Sequence, residues 1–118
     1  MKLYAIRIFV KDWEGLCNFY ERIFSLPLKF KDTRVGWAEF DVGGPSLALE
    51  RIDQSDEEAG GLVGRFLGIS LSVEDIVSVH KQLSEKGVEF TVPPEKQVWG
   101  GSLAHFKDPE GNILTLLG

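Results

Sequence analysis

The feature that most constrains the fold of this chain is an internal repeat. The run Ala5–Asp12 (AIRIFVKD) recurs as Gly68–Asp75 (GISLSVED), with isoleucine, valine and the final aspartate in register at a constant offset. In both copies a strand-like run ends at an aspartate that can cap a following helix. The sequence therefore predicts two copies of one strand–helix unit, beginning near Leu3 and Leu67.

A helical pattern and further strand-like runs follow the first copy. Apolar residues recur at spacings of three and four from Trp13 to Phe24, and Pro27 ends the helical pattern a few residues later. This part of the chain therefore predicts one helix and four strands, at Leu3–Val10, Leu28–Phe30, Gly36–Val42 and Ser46–Ile52.

The second copy repeats this order. Asp75 takes the capping position, and Gly87 follows the helical pattern as a residue suited to the left-handed conformation that ends many helices. Strands are predicted at Val88–Val92, Ser102–Lys107 and Ile113–Leu117. We therefore expect an α+β fold of two βαβββ units in tandem, at about residues 1–52 and 66–118, within one domain. Residues 53–65, which are acidic and rich in glycine, form the predicted linker.

Composition excludes several classes of function. The 118 residues carry a net charge of -5, and the 13 basic residues are scattered, so the chain has no basic stripe that would bind nucleic acid. Cys17 is the only cysteine, which excludes an intrachain disulfide. No apolar run is long enough for a signal segment or a membrane span. We expect a cytoplasmic protein that binds neither membrane nor nucleic acid.

Alternation along the first strand of each unit assigns its side chains to two faces. The apolar set suits the helix side: Ile6, Ile8 and Val10, and then Ile69, Leu71 and Val73. The other set is smaller or more polar: Ala5, Arg7 and Phe9, and then Gly68, Ser70 and Ser72. One helix leaves the second face of a sheet bare, so we expect the two units to curve a mixed sheet around a cup that holds a ligand.

Several short motifs lie within the two predicted units. They are Val10–Asp12 and Asn18–Tyr20 in the first unit, and Trp99–Gly101 and Phe106–Asn112 (FKDPEGN) in the second. With them, nearly the whole chain resembles the vicinal oxygen chelate superfamily, which includes glyoxalase I, extradiol dioxygenases, fosfomycin-resistance enzymes and bleomycin-resistance proteins. The Asp-Pro-Glu-Gly-Asn turn is the most specific of these motifs.

The resemblance also implies where a metal would bind. Enzymes of this superfamily hold a divalent metal with side chains from the first and last strands of each unit, and the resemblance places those positions at Ala5, Glu50, Gly68 and Thr115. The repeat is then expected to match Ala5 with Gly68, and Glu50 with Thr115. Only Glu50 offers a good donor atom, whereas a catalytic metal site normally has three protein ligands. We therefore predict no metal and no other cofactor.

A replacement metal site is a weaker alternative. His105 aligns with Glu39 across the repeat, so Glu39, Glu50 and His105 would give one nitrogen and two oxygen donors if their strands bring them together. The other histidine, His80, lies on the helical stripe and is interpreted as a residue at the boundary of the core.

Arg7 is the most informative residue of the predicted cup. A guanidinium kept away from bulk water needs an anionic partner. Two compatible interpretations follow: Arg7 forms an ion pair with Glu50 that fills the space of the lost metal, or Arg7 binds an anionic group of a ligand.

Aromatic residues near the cup complete the set of candidates. Trp37 either packs in the core or stacks on a planar ligand, and Trp99 lies in a glycine-containing loop suited to a rim or lid. The candidate ligand-binding residues are therefore Arg7, Trp37, Glu50, Trp99, His105 and Thr115.

These observations favour a metal-free small-molecule binding protein of the bleomycin-resistance type, with a ligand that the sequence does not identify. The alternatives are a divalent-metal-dependent lyase, isomerase or dioxygenase of the same superfamily, and a protein-interaction module that kept only the fold. The resemblance also implies a homodimer, because superfamily members of this length usually build their cups in dimers.

Overall fold

The computed structural model describes residues 1–53, 55 and 57–118, except for the side chain of Glu58. Part of the predicted acidic linker therefore lies outside the described residues. The chain divides into two compact units, Met1–Val63 and Gly64–Gly118.

The first unit contains one four-stranded sheet. Its elements are β1 (Ala5–Val10), α1 (Trp13–Asn18), a π-helical turn (Phe19–Ile23), β2 (Leu28–Asp32), β3 (Trp37–Phe40), β4 (Ser46–Arg51) and α2 (Glu57–Gly60). The strand order is β1-β4-β3-β2, with β1 parallel to β4 and the other pairs antiparallel.

The second unit repeats this topology. Its elements are β5 (Phe66–Ser72), α3 (Ile76–Glu85), β6 (Glu89–Lys96), β7 (Ser102–Lys107) and β8 (Ile113–Leu117). The strand order is β5-β8-β7-β6, again with one parallel pair between the first and last strands. The prediction of two βαβββ units in an α+β fold is confirmed.

Both predicted helix caps are present. The Asp12 carboxylate accepts a hydrogen bond from the Gly15 backbone N–H at 3.2 Å, and Asp75 accepts one from Ser78 at 3.1 Å. A Cβ atom at Gly15 would lie 2.2 Å from Asp12 Oδ2, so the glycine makes room for the first cap. The two aspartates thus start equivalent helices.

The first helix differs from the expectation of one regular helix. Its α-helical part ends at Asn18, and the Phe24 N–H donates to the Phe19 carbonyl at 2.8 Å, as in a π-helical turn. The wider turn buries two successive rings, Phe19 at 7% exposure and Tyr20 at 0%, which a regular helix would direct to different sides.

The core of each unit lies between its helix and one face of its sheet. Ile8 and Val10 are fully buried there, as predicted, whereas Ile6 is 39% exposed on the edge strand β1. Trp13 is buried, and its Nε1 donates to the Leu49 carbonyl at 3.1 Å. The second core contains Ala104, Phe106, Leu114 and Leu116.

Most strand bounds differ from the predicted ones by one or two residues, and the larger differences are a short helix and a longer strand. The predicted linker contains the short helix α2. Strand β6 continues past Val92 through two prolines to Lys96, which is compatible with its place at the sheet edge, where a missing N–H costs no ladder hydrogen bond.

Within the described ranges, none of the helices combines the length and apolar character that crossing a bilayer requires.

Candidate functional site

The candidate site in the first unit is the sheet face opposite α1, here called the polar face: Arg7, Phe9, Trp37, Glu39, Ser46, Ala48 and Glu50. Register places these residues in rows across three neighbouring strands. Phe9, Glu50 and Trp37 form one row, and Arg7, Ala48 and Glu39 form the next. Paired residues of adjacent strands project to the same side, so the two rows form one surface.

Arg7 and Glu50 form an ion pair on the polar face. Arg7 Nη1 lies 3.0 Å from Glu50 Oε1, and the guanidinium carbon lies 5.2 Å from the centroid of the Phe9 ring. The expected contact is present, but the expectation that Arg7 is kept off bulk water is wrong for the chain by itself, because its side chain is 53% exposed. An ion pair this exposed contributes little to stability.

Glu39 is the most enclosed charged group of the polar face, with an exposure of 6%. Its Oε2 accepts hydrogen bonds from Tyr4 Oη at 2.7 Å and from Trp37 Nε1 at 2.8 Å. Lys29 Nζ donates to Ser46 Oγ at 2.9 Å beside it. Together these contacts hold Trp37 and Tyr4 in fixed orientations.

The same contacts shift two pKa values. The hydrogen bond from Trp37 is the main cause that lowers the pKa of Glu39; Tyr4, Ser46 and Lys29 add to the shift, while burial opposes it. The hydrogen bond to Glu39 raises the pKa of Tyr4. Glu39 is therefore ionised at neutral pH, as a stabilised carboxylate.

Sequence reasoning missed Tyr4 and assigned Glu39 only to a weak metal hypothesis. Trp37 and Glu39 are two residues apart on one strand, which places both side chains on the same face. This two-residue spacing was the sequence signal that could have placed Glu39 on the same face as Trp37. The contact of Tyr4 with Glu39 joins distant parts of the chain, and no local pattern predicts it.

The matching face of the second sheet is uncharged around its central pair. His105 Nδ1 and Thr115 Oγ1 are hydrogen-bonded at 2.9 Å, and the Phe66 ring lies edge-on to the imidazole with the centroids 5.3 Å apart. Ser70 is the register partner of Thr115 on β5. The candidates His105 and Thr115 thus lie together, within the second unit.

The register corrects one predicted match across the repeat. Arg7 pairs with Ala48 on β4, and its repeat counterpart Ser70 pairs with Thr115 on β8. Ala48, not Glu50, therefore corresponds to Thr115, and the predicted match of Glu50 with Thr115 is wrong. The reason is that strand pairing, which local sequence does not reveal, fixes the register of the last strand.

The predicted match of Glu39 with His105 is confirmed by the same register. Glu39 pairs with Ala48 on β4, and His105 pairs with Thr115 on β8. The repeat has therefore placed a buried carboxylate in one unit and an imidazole in the other at equivalent positions.

The side chains at the superfamily's metal positions do not fit a divalent metal. Ala5 and Gly68 have no donor atom, the Thr115 hydroxyl contacts His105, and Glu50 is paired with Arg7. Throughout the part of the chain that the structure describes, no three side chains of His, Cys, Asp or Glu cluster as a metal site would require.

The remaining candidates lie elsewhere. Trp99 is 60% exposed, and its ring folds back over Gly101, where an added Cβ would lie 2.0 Å from the ring. Cys17 is buried, and burial raises the pKa of its thiol to about 11, which suits an inert core residue. His80 packs edge-on against Phe90 at 4.5 Å.

Comparison with known proteins identifies relatives over nearly the full length. The sequence model of the Glyoxalase/Bleomycin resistance protein/Dioxygenase superfamily matches residues 2–116. The protein YraH of Bacillus subtilis (strain 168) is 31% identical over 125 residues, which cover 98% of this chain and 97% of that protein. A bleomycin resistance protein of Klebsiella pneumoniae is 26% identical, with 91% of this chain and 84% of that protein covered.

A similar structure supports the same grouping. A crystal structure of a member of the glyoxalase/bleomycin resistance protein/dioxygenase superfamily from Sphaerobacter thermophilus DSM 20745 superimposes with a TM-score of 0.83. It is 30% identical in sequence, and 99% of this chain and 96% of that chain are covered. The comparisons of sequence and of fold thus place the chain in the same superfamily.

Proposed function

Because this chain belongs to the Glyoxalase/Bleomycin resistance protein/Dioxygenase superfamily, we propose that it binds a small organic molecule without a metal and without reacting with it. The observation that carries the proposal is the small number of donor atoms at the positions assigned to a metal, whether Glu50 or Ala48, the register counterpart of Thr115, is taken on β4. Ala5 and Gly68 provide no ligand, while Glu50 and Thr115 each contact a neighbouring side chain. Such a set offers fewer than the three protein ligands that a catalytic metal site normally has, which supports binding without a metal.

The polar face supports the binding part of the proposal. It presents aromatic rings beside charged groups, which is the usual composition of a site that binds an organic ligand. The Trp37 ring is half-buried and fixed by Glu39, so stacking a planar ligand on it would lose little side-chain entropy. One relative is named a bleomycin resistance protein, which supports sequestration of an organic compound as the activity.

A thermal-shift assay on the full-length protein, with and without a chelator, tests this proposal. The panel contains bleomycin together with small aromatic acids, amines and neutral amides. A ligand that binds only the folded state, and is present at a concentration a hundred times its dissociation constant, stabilises the protein by about 2.7 kcal/mol. We expect at least one compound to stabilise the protein equally with and without chelator.

Two results would contradict the proposal. Turnover of a stabilising compound would show an enzyme, and binding that disappears with the chelator would show a metal site. Indifference to every compound would instead favour a protein-interaction module.

We also propose that the protein is a cytoplasmic homodimer, as the resemblance implies. Light scattering on the purified full-length chain tests the dimer directly, and a monomer mass across a hundredfold range of concentration would exclude it.

A further inference from the structure

We propose that Arg7 anchors an anionic group of the ligand, a carboxylate or phosphate carried on a flat apolar body, and that Glu50 is a positioning residue for Arg7. This inference rests on the proposed binding function and names the chemical class of its ligand.

Arg7 has hydrogen-bonding capacity beyond its contact with Glu50. A guanidinium carries five N–H donors in a planar fork. Among the described residues, Arg7 donates one hydrogen bond, from Nη1 to Glu50. Its side chain is 53% exposed, so the remaining donors are accessible. A planar fork with free donors suits the two oxygens of a carboxylate or phosphate.

Arg7 is already oriented by contacts within the polar face. Glu50 holds Nη1 at 3.0 Å, and the guanidinium carbon lies 5.2 Å from the Phe9 centroid. Two contacts of different kinds thus restrict a side chain that otherwise loses much rotamer entropy on binding. Glu50 acts on the ligand through Arg7.

The two carboxylates of the polar face are less accessible to a ligand than Arg7 is. Glu39 is 6% exposed and already accepts hydrogen bonds from Tyr4 and Trp37. The two charges of the ion pair offset each other, but the Glu50 side chain is 32% exposed and the Arg7 side chain 53%. Arg7 therefore presents the most accessible charge of the pair, and this favours an anionic ligand group over a cationic one.

Aromatic side chains lie next to Arg7 on the polar face. Phe9 and Trp37 lie on the two sides of Glu50 in one row across β1, β4 and β3. Neighbouring strands are about 4.8 Å apart, so the row across three strands spans about 10 Å, which is longer than a single aromatic ring. A flat ligand body fits this row with its anionic end at Arg7.

Three nearly isosteric probes test the sign of the charge: benzoate, benzamide and benzamidine, titrated into the full-length protein and followed by NMR. The shifts of the Arg7 Nε–H and Trp37 Nε1–H resonances report the binding site. We expect saturable shifts with benzoate, and no saturation with benzamide or benzamidine over the same concentration range.

Variants test the assigned roles. Arg7→Gln should weaken benzoate binding at least tenfold, and Arg7→Lys, which keeps the charge without the fork, should give an intermediate affinity. Glu50→Ala should weaken binding, and Glu50→Gln, which still accepts from Arg7, should restore it. The matched control is Arg34→Gln, because Arg34 also pairs with a carboxylate, Asp32 at 3.1 Å, but is 88% exposed. It should leave affinity unchanged.

Several results would overturn the inference. Tighter binding of benzamidine, increased by Arg7→Gln, would show a cation site at Glu50. Benzoate binding unchanged in Arg7→Gln, or no saturation with any probe, would remove Arg7 as an anchor. In each case the proposed function stands or falls separately, by the wider ligand panel.

Discussion

Glu39 is the residue that most clearly links structure to solution behaviour on the polar face. It is buried, and Tyr4 and Trp37 both donate to one of its oxygens. A buried carboxylate without these donors would be protonated or would destabilise the fold. Its pKa is lowered mainly by the Trp37 hydrogen bond, so the ionised form is the one that stabilises the folded chain.

Replacing Glu39 by Gln should therefore lower the free energy of unfolding by an amount that depends on pH. At pH 7 we expect a loss of about 1–3 kcal/mol in the free energy of unfolding, because a charge-assisted acceptor becomes a weaker one. The group has a lower pKa when folded, so its stabilisation is complete above the ordinary value of 4.5 and is lost as pH falls through the folded pKa. The difference in the free energy of unfolding between wild type and variant should therefore become smaller as pH falls from 4.5 through the folded pKa.

Urea denaturation between pH 7 and pH 3 measures this difference. The exposed Glu74→Gln serves as control and should change stability little at any pH. A Glu39→Gln variant as stable as wild type at pH 7 would show that the carboxylate is not required.

Ser25 is a second residue with a measurable effect. It follows the π-helical turn with φ of 62°, whereas Gly87 after α3 has φ of 91°. The left-handed conformation costs a residue with a Cβ roughly 1–2 kcal/mol. Ser25→Gly should therefore stabilise the protein by about 0.5–1 kcal/mol after the added freedom of the unfolded chain is subtracted. Thermal unfolding measures the change in stability. The Ser25→Ala variant, which keeps the Cβ, should be no more stable than wild type.

Among the elements, the turn between β7 and β8 explains why the Asp-Pro-Glu-Gly-Asn motif is so specific. Asn112 is fully buried; its N–H and Nδ2 donate to the two Asp108 oxygens at 3.0 and 2.9 Å. Its Oδ1 accepts from the Gly64 N–H at 2.8 Å. The motif thus fastens the start of the second unit to its last hairpin, and its role is structural.

Asn112→Ala should therefore be strongly destabilising. It removes two side-chain hydrogen bonds at a buried position and leaves the Gly64 N–H and an Asp108 oxygen without these partners, at a cost of about 2–3 kcal/mol. Urea denaturation measures the loss, with the exposed Asn18→Ala as control, expected within about 0.5 kcal/mol of wild type. Equal effects of the two substitutions would contradict a special role for the turn.

Elements set by local chemistry were predictable from sequence. The caps at Asp12 and Asp75 are confirmed, and the bounds of β7 and β8 agree with those predicted. The π-helical turn was not predicted, because it depends on the packing of Phe19 against Tyr20. Helix α2 was not predicted, because its local helix propensity is weak. Long-range pairing also set the register of β4, and so the match of Ala48 with Thr115.

In the whole molecule, the two repeats keep one topology and carry different chemistry. The polar face of the first unit has Arg7, Glu39 and Glu50, whereas its counterpart in the second has Ser70 and His105 at the positions of Arg7 and Glu39. Core and turn positions were retained because folding depends on them. The positions that the resemblance assigns to a metal carry Ala5, Glu50, Gly68 and Thr115 in this chain.

Elemental analysis of tag-free, full-length protein tests the central claim, that this chain has lost the metal chemistry of its superfamily and kept a binding surface. Purified protein should contain well below one divalent ion per chain, and its melting temperature should not change when a chelator is added. A stoichiometric divalent ion whose removal lowers the melting temperature or abolishes ligand binding would contradict the account.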